Sequence, residues 1–171
     1  IEQNKLNRHI YAGNFTSKGW PVTEIIDQVK LTREEKAQGN IHFSMKTLLE
    51  NTGGMADVLL RDCYYQPAIV PAMPWIDSVP PQEPINVSAK VSILTKAEIK
   101  WGTPTDTSVW EWAIYKKTKD TNWRLLAVVP RSQNSILDTY PGTNRDKIRY
   151  AVSSLDRLAN ESKLTEVDLE N

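Results

Sequence analysis

The sequence predicts an α+β protein in two parts, a βαβα segment over residues 1–79 and an all-β sandwich over residues 80–171. Ala97-Glu-Ile-Lys-Trp101 and Trp112-Ala-Ile-Tyr115 alternate with period two, as strands with one buried face do. Two short runs, His9-Ile-Tyr-Ala-Gly-Asn14 and Ile41-His-Phe-Ser-Met45, flank a stretch of helical period. Between the two parts, prolines crowd the chain and hold it extended.

The first run ends on Gly and Asn and reads as a buried strand. Thr16-Ser-Lys-Gly-Trp-Pro21 is a loop by its Gly and Pro. Thr23 is the expected N-cap of a helix, with Glu24 and Asp27 near its positive end. Ile25, Ile26, Val29 and Ala37 keep helical spacing, and Gly39-Asn40 is the expected stop. A second buried strand follows at 41–45. A second helical stretch begins at Thr47, breaks at Gly53-Gly54 and resumes from Met55 to Leu60.

Two strands joined by such a helix must lie parallel. A sheet of two parallel strands leaves both edges open and buries too little to stand alone. The segment is therefore expected to belong to a larger α/β sheet or barrel, or to dock on the sandwich, or on a second copy in a homodimer. Tyr64-Tyr-Gln-Pro-Ala-Ile-Val-Pro-Ala-Met-Pro-Trp75 reads as an extended tether packed along a barrel, with a polyproline ligand for a partner domain as the alternative. Its apolar Ile69, Val70, Met73 and Trp75 call for burial. Ser78-Val-Pro-Pro-Gln-Glu-Pro84 reads as a stiff linker.

Strands of the sandwich are expected at 85–91, 97–101, 110–117, 123–129, 135–137, 147–154 and 164–169, separated by short intervals with Gly, Pro, Asn or Asp. Alternation places Ala97, Ile99, Trp101, Trp112, Ile114, Tyr150 and Val152 inside. Lys100, Lys116 and Arg149 are expected to face water.

Composition narrows the function. A formal net charge of zero gives no electrostatic footprint for nucleic acid. No apolar run is long enough to span a bilayer, and residues 1–14 do not read as a signal peptide. A chain that opens inside a strand approach, without Met, reads as a trimmed or mature fragment. Cys63 is the single cysteine, so no internal disulfide is expected.

Trp20-Pro-Val-Thr-Glu-Ile-Ile-Asp-Gln-Val29, Gln38-Gly-Asn-Ile-His-Phe-Ser-Met-Lys-Thr-Leu48 and Tyr65-Gln-Pro-Ala-Ile-Val-Pro-Ala-Met-Pro-Trp75 resemble the end of a bacterial glycosyl-hydrolase-like family. The alternating strands and Tyr150-Ala-Val-Ser-Ser-Leu-Asp-Arg-Leu-Ala-Asn-Glu-Ser162 resemble an immunoglobulin-like fibronectin type III module. The resemblance implies that residues 1–79 are the last two β/α units of a (β/α)8 barrel, followed by an accessory sandwich. It implies carbohydrate as the partner of the parent enzyme, catalytic carboxylates upstream of Ile1, and a bacterial extracytoplasmic place: periplasmic, cell-surface, secreted or lipid-anchored.

Glycoside hydrolysis usually needs two carboxylates, and in a barrel they sit at the C-terminal ends of strands. The two strand ends here carry Asn14 and Ser44 instead. Glu24 and Asp27 read as helix caps, and Glu50, Asp57 and Asp62 fall on or after the second helix, so no catalytic pair is expected. Asn14 and Ser44 are candidates for hydrogen bonding to sugar; ending a strand and satisfying loop backbone are their alternatives. Trp20 and Trp75 are candidates for stacking on a pyranose, with packing as the alternative. His9 and His42 lack a second ligand at metal spacing, so neither a metal nor another cofactor is expected. A different class of reading is a sandwich that binds polysaccharide or a cell-surface partner without catalysis. Three or more aligned exposed aromatics on one sandwich face would mark it.

Overall fold

In a computed structural model, residues 4–93, 95–119, 121–140 and 147–170 are described. The chain forms two compact units, Ile1–Tyr65 and Gln66–Asn171.

The first unit runs β1 (Tyr11–Phe15), α1 (Val22–Glu34), β2 (Gly39–Phe43), α2 (Met45–Leu49) and α3 (Met55–Asp62). β1 and β2 pair in parallel, with Asn14 opposite His42 and Phe15 opposite Phe43. The helices pack through Ile25, Ile26, Val29, Met55, Leu59 and Cys63. Both ends of α1 differ from expectation. Pro21 holds the N-cap position, and its carbonyl accepts Glu24 N–H at 3.1 Å, so Thr23 lies inside the first turn. At the other end Lys36 takes the left-handed conformation, φ 58°, and Ala37 N–H reaches back to Thr32 O at 3.0 Å. Gly39 and Asn40 are therefore free to open β2 rather than close the helix. The Gly53-Gly54 break is present as a single 3-10 turn, Thr52–Gly54, between α2 and α3.

The two strands are not buried on both faces, as the sequence suggested. Helix α1 covers the face bearing Asn14, whereas Tyr11, Phe15, Ile41 and Phe43 on the other face are each at least 40% exposed. Phe15 and Phe43 stack at 4.8 Å across this open face. Phe43 lies over Gly13 and Tyr11 over Gly39, so close that a Cβ on Gly39 would meet the Tyr11 ring at 3.0 Å.

The second unit is a Greek-key sandwich of two antiparallel sheets. A three-stranded sheet has the order β3 (Ile85–Ile93), β4 (Lys96–Gly102), β7 (Ser135–Thr139). A four-stranded sheet has the order β6 (Arg124–Pro130), β5 (Glu111–Thr118), β8 (Ile148–Leu155), β9 (Thr165–Asp168). The chain crosses between sheets after β4, β6 and β7, the immunoglobulin-like manner of closing a two-layer core. Ala97, Ile99, Trp101, Trp112, Ile114, Tyr150 and Val152 all lie in one buried cluster. Trp101 and Trp112 meet edge to face at 6.2 Å.

Lys116 does not face water. It shares the parity of Trp112 and Ile114, and its Nζ reaches Asp138 Oδ2 at 2.6 Å on the opposing sheet. Tyr150 donates its hydroxyl to the same Oδ2 at 2.7 Å. The ammonium is thus paired before it is buried, which is the condition for placing a lysine inside.

The proline-rich residues 66–79 group with the sandwich rather than with the first unit. Ile69 packs on Ala113, Leu125 and Leu155, the outer face of the four-stranded sheet. Met73 N–H bonds Leu158 O at 3.1 Å, and Asn160 Nδ2 donates to Asp77 O at 3.1 Å. Of the apolar side chains expected to be covered here, Val70 remains 63% exposed.

Candidate functional site

In the first unit the chain leaves β1 and β2 side by side. Thr16 Oγ1 donates to Ser44 O at 3.3 Å, and Ser44 N–H points to Ser17 Oγ at 3.4 Å. The loop after β1 and the start of α2 are thereby tied together, next to the stacked Phe15 and Phe43. Ser44 itself is exposed. Trp20 follows in the same loop, 37% exposed, with Lys18 Nζ 4.7 Å from its ring centre. It lines a shallow pocket with Thr16, Gly19, Thr47 and Met55. Ser44 and Trp20 therefore belong to one corner of the unit.

Asn14 is placed differently. It is 2% exposed under α1, where its Nδ2 donates to Gln28 Oε1 at 3.0 Å, and Gln28 Nε2 donates to Glu24 Oε1 at 2.9 Å. Trp75 lies in the other compact unit, half-buried. The residues that sequence reasoning passed over are Phe15 and Phe43. They, not Asn14, present side chains on the open face at the strand ends. The signal was there in the parity of β1: once position 14 is under the helix, 13 and 15 must face away.

His42 shares the covered face with Asn14. Its Nε2 is 2.8 Å from Tyr64 Oη, and burial pushes its pKa below the ordinary histidine value. Burial also raises the Tyr64 phenol, over whose ring the Arg33 guanidinium lies at 5.6 Å. His42 Nδ1 is buried without a hydrogen-bond partner, so the ring is held through Nε2 alone.

Asp27, Glu50 and Asp57 are engaged on helix surfaces. Asp27 pairs with Lys30 at 3.5 Å, Glu50 with Lys46 at 3.9 Å and Asp57 with Asn51 at 2.8 Å. A hydrogen bond from Arg61 holds Asp62 below the usual carboxylate range. A general acid for glycoside cleavage needs the opposite shift. Among the described residues no group of three or more His, Cys, Asp or Glu converges as a metal site. No helix among them is long and apolar enough to cross a membrane.

No protein-family model matches the chain. It is similar to the glycosyl hydrolase YngK of Bacillus subtilis (strain 168), at 32% identity over 170 residues. That match takes in 91% of this chain but 33% of the relative, so the chain spans about a third of its length. Among solved structures, an Fn3-like protein from Clostridium thermocellum aligns at TM-score 0.45 and 19% identity, over 54% of this chain and 96% of that one. The fn3 domain of human collagen alpha-1(XX) chain aligns at 0.42 and 14% identity, over 53% and 84%. A beta-1,2-glucanase from Parabacteroides distasonis aligns at 0.36 and 19% identity, over 62% and 14%. The sandwich assignment rests on the strand order of the two sheets.

Proposed function

We propose that this chain is the C-terminal part of a carbohydrate-active, glycoside hydrolase-like enzyme and that its own role is structural. In this reading the first unit supplies the last two β/α units of a (β/α)8 barrel, and the sandwich is a fibronectin type III-like accessory domain. The observation that carries it is the similarity to a glycosyl hydrolase over 91% of the chain, within a relative of which this chain spans a third. The geometry agrees. In a barrel, helices cover one face of each strand and side chains fill the other. β1 and β2 have one helix-covered face and one open face bearing Tyr11, Phe15, Ile41 and Phe43. The corner formed by Phe15, Phe43, Ser44 and Trp20 then lies at the catalytic end and contacts sugar, while the acid and the second carboxylate come from other strands. Extracytoplasmic placement in a bacterium goes with this reading, because polysaccharide substrates are met there.

The purified chain is expected to leave aryl-glycosides and mixed polysaccharides intact, while a longer protein carrying the preceding units hydrolyses one of them. Turnover by the chain alone, lost on mutating one of its own Asp or Glu residues, would sink the reading.

The sandwich as a polysaccharide-binding module is a different class of function. A flat row of exposed aromatics would mark one, but among the described residues from Gln66 onward Trp110 is the exposed large aromatic. A single ring fits a local subsite, not a platform for a long chain.

A further inference from the structure

Trp110 stands at the head of β5 with 48% of its surface exposed, although Val109 before it and Trp112 after it are buried. Its backbone is fixed on both sides: N–H to Leu155 O at 2.7 Å, and carbonyl to Arg131 N–H at 3.0 Å. The ring lines an open groove of about 730 Å³ at one end of the sandwich, between residues 107–111, 130–132 and 156–158. That volume is in the range of small-ligand sites, roughly 300–1,000 Å³.

The walls of this groove are braced from within. The Arg131 guanidinium donates to the carbonyls of Thr107 at 3.0 Å, Val109 at 3.2 Å and Asp106 at 3.3 Å. Opposite, Asp156 Oδ1 accepts the N–H groups of Leu158 and Asn160, each at 2.8 Å. Neither Arg131 nor Asp156 is therefore the ligand group; each holds a loop in place. What remains on the groove lining is Trp110, the exposed Arg157 with its guanidinium 4.1 Å from the ring centre, Glu111 and Ser132.

We propose that this groove is a glycan-binding subsite, with Trp110 as the stacking ring and Arg157 and Glu111 as partners for sugar hydroxyls. The proposal rests on the carbohydrate reading above. An indole takes the C–H face of a pyranose, while a planar guanidinium and a carboxylate suit adjacent hydroxyls as donor and acceptor. The opposite charges of Arg157 and Glu111 leave the site without the positive excess that a phosphate needs. One ring, rather than a row, sets the footprint at one or two sugar residues of a neutral chain.

The test uses the 171-residue chain, labelled for NMR, titrated separately with cellohexaose, laminarihexaose, xylohexaose and chitohexaose. At least one sugar is expected to shift the Trp110 indole N–H together with amides of 107–111, 131–132 and 156–158, and to saturate. Trp110→Ala should weaken that binding about tenfold, the scale of one lost aromatic contact. Arg157→Ala should also weaken it, with the unfolding curve unchanged. The proposal is overturned if no sugar moves these signals, or if Trp110→Ala binds as well as the parent. Shifts confined to Trp20 and Phe43 would overturn it and leave the carbohydrate reading standing, as would silence here with hydrolysis by the longer protein. Binding at Trp110 without any hydrolysis by the longer protein would do the reverse.

Discussion

Single residues divide sharply by what covers them. Trp112 has no exposed surface, meets Trp101 edge to face, and donates its Nε1–H to Arg131 O at 3.3 Å. Trp112→Ala should cost about 3–5 kcal/mol in denaturant unfolding, as large aromatic truncations in cores do. Phe43, 43% exposed in this chain, should cost about 1 kcal/mol or less when replaced by Ala, and a larger loss would mean that its face is covered after all. Tyr150 adds a pH dependence. Burial first, then its hydrogen bond to Asp138 and the charge of that carboxylate, push its phenol above the ordinary tyrosine value. The unfolded chain loses this proton near pH ~10 while the folded one keeps it. The contribution is therefore fully present below about 10 and is lost as pH rises beyond that, by up to about 1.4 kcal/mol per unit. Urea midpoints from pH 8 to 11 should fall on the alkaline side, and Tyr150→Phe should flatten the fall; an equal slope in both proteins would contradict it.

At the scale of elements, the ends of α1 are the instructive part. Lys36 occupies a left-handed position that costs an L-residue about 1 kcal/mol or more. Lys36→Gly should raise the stability of the first unit by about 0.5–1 kcal/mol; a decrease would show that the lysine side chain holds the turn. Sequence reasoning put the stop at Gly39 because glycine is the usual left-handed residue, and a lysine forced there carries no local signal. Likewise Thr23 looks like a cap, but Pro21 sets the entry angle two residues earlier. β4 was legible because it has one wetter face and one dry face, so alternation survives in the sequence, whereas β8 is buried on both faces. Lys116 broke that pattern: only the partner Asp138, on another sheet, explains a lysine at an inward position. In β1 and β2 the glycines, Asn14 and His42 blur any alternation, so the sequence did not say which face α1 would cover. That is why Asn14 was singled out while Phe15 and Phe43 were passed over.

Across the whole molecule, two units with different architectures follow one another, and the division falls at Tyr65/Gln66 rather than near position 80. The proline-rich stretch was read as extended; it turns at Met73–Ile76, where Ile76 N–H bonds Met73 O at 2.9 Å, and its Ile69 packs on the sandwich surface around Ala113 and Leu155. The sandwich has a core of its own. The first unit has a helical core and a sheet of two strands with one open apolar face, and we propose that it is part of a larger barrel. Hydrogen exchange followed by mass spectrometry, paired with light scattering over a concentration series, tests this most directly. Amides of β1 and β2 are expected to exchange far faster than those of β5 and β8 in dilute solution, and to slow only as copies associate over the open sheet. A strictly monomeric chain whose Tyr11–Phe15 and Gly39–Phe43 amides are protected as well as the sandwich core would contradict it, and would make the first unit a small α/β domain in its own right.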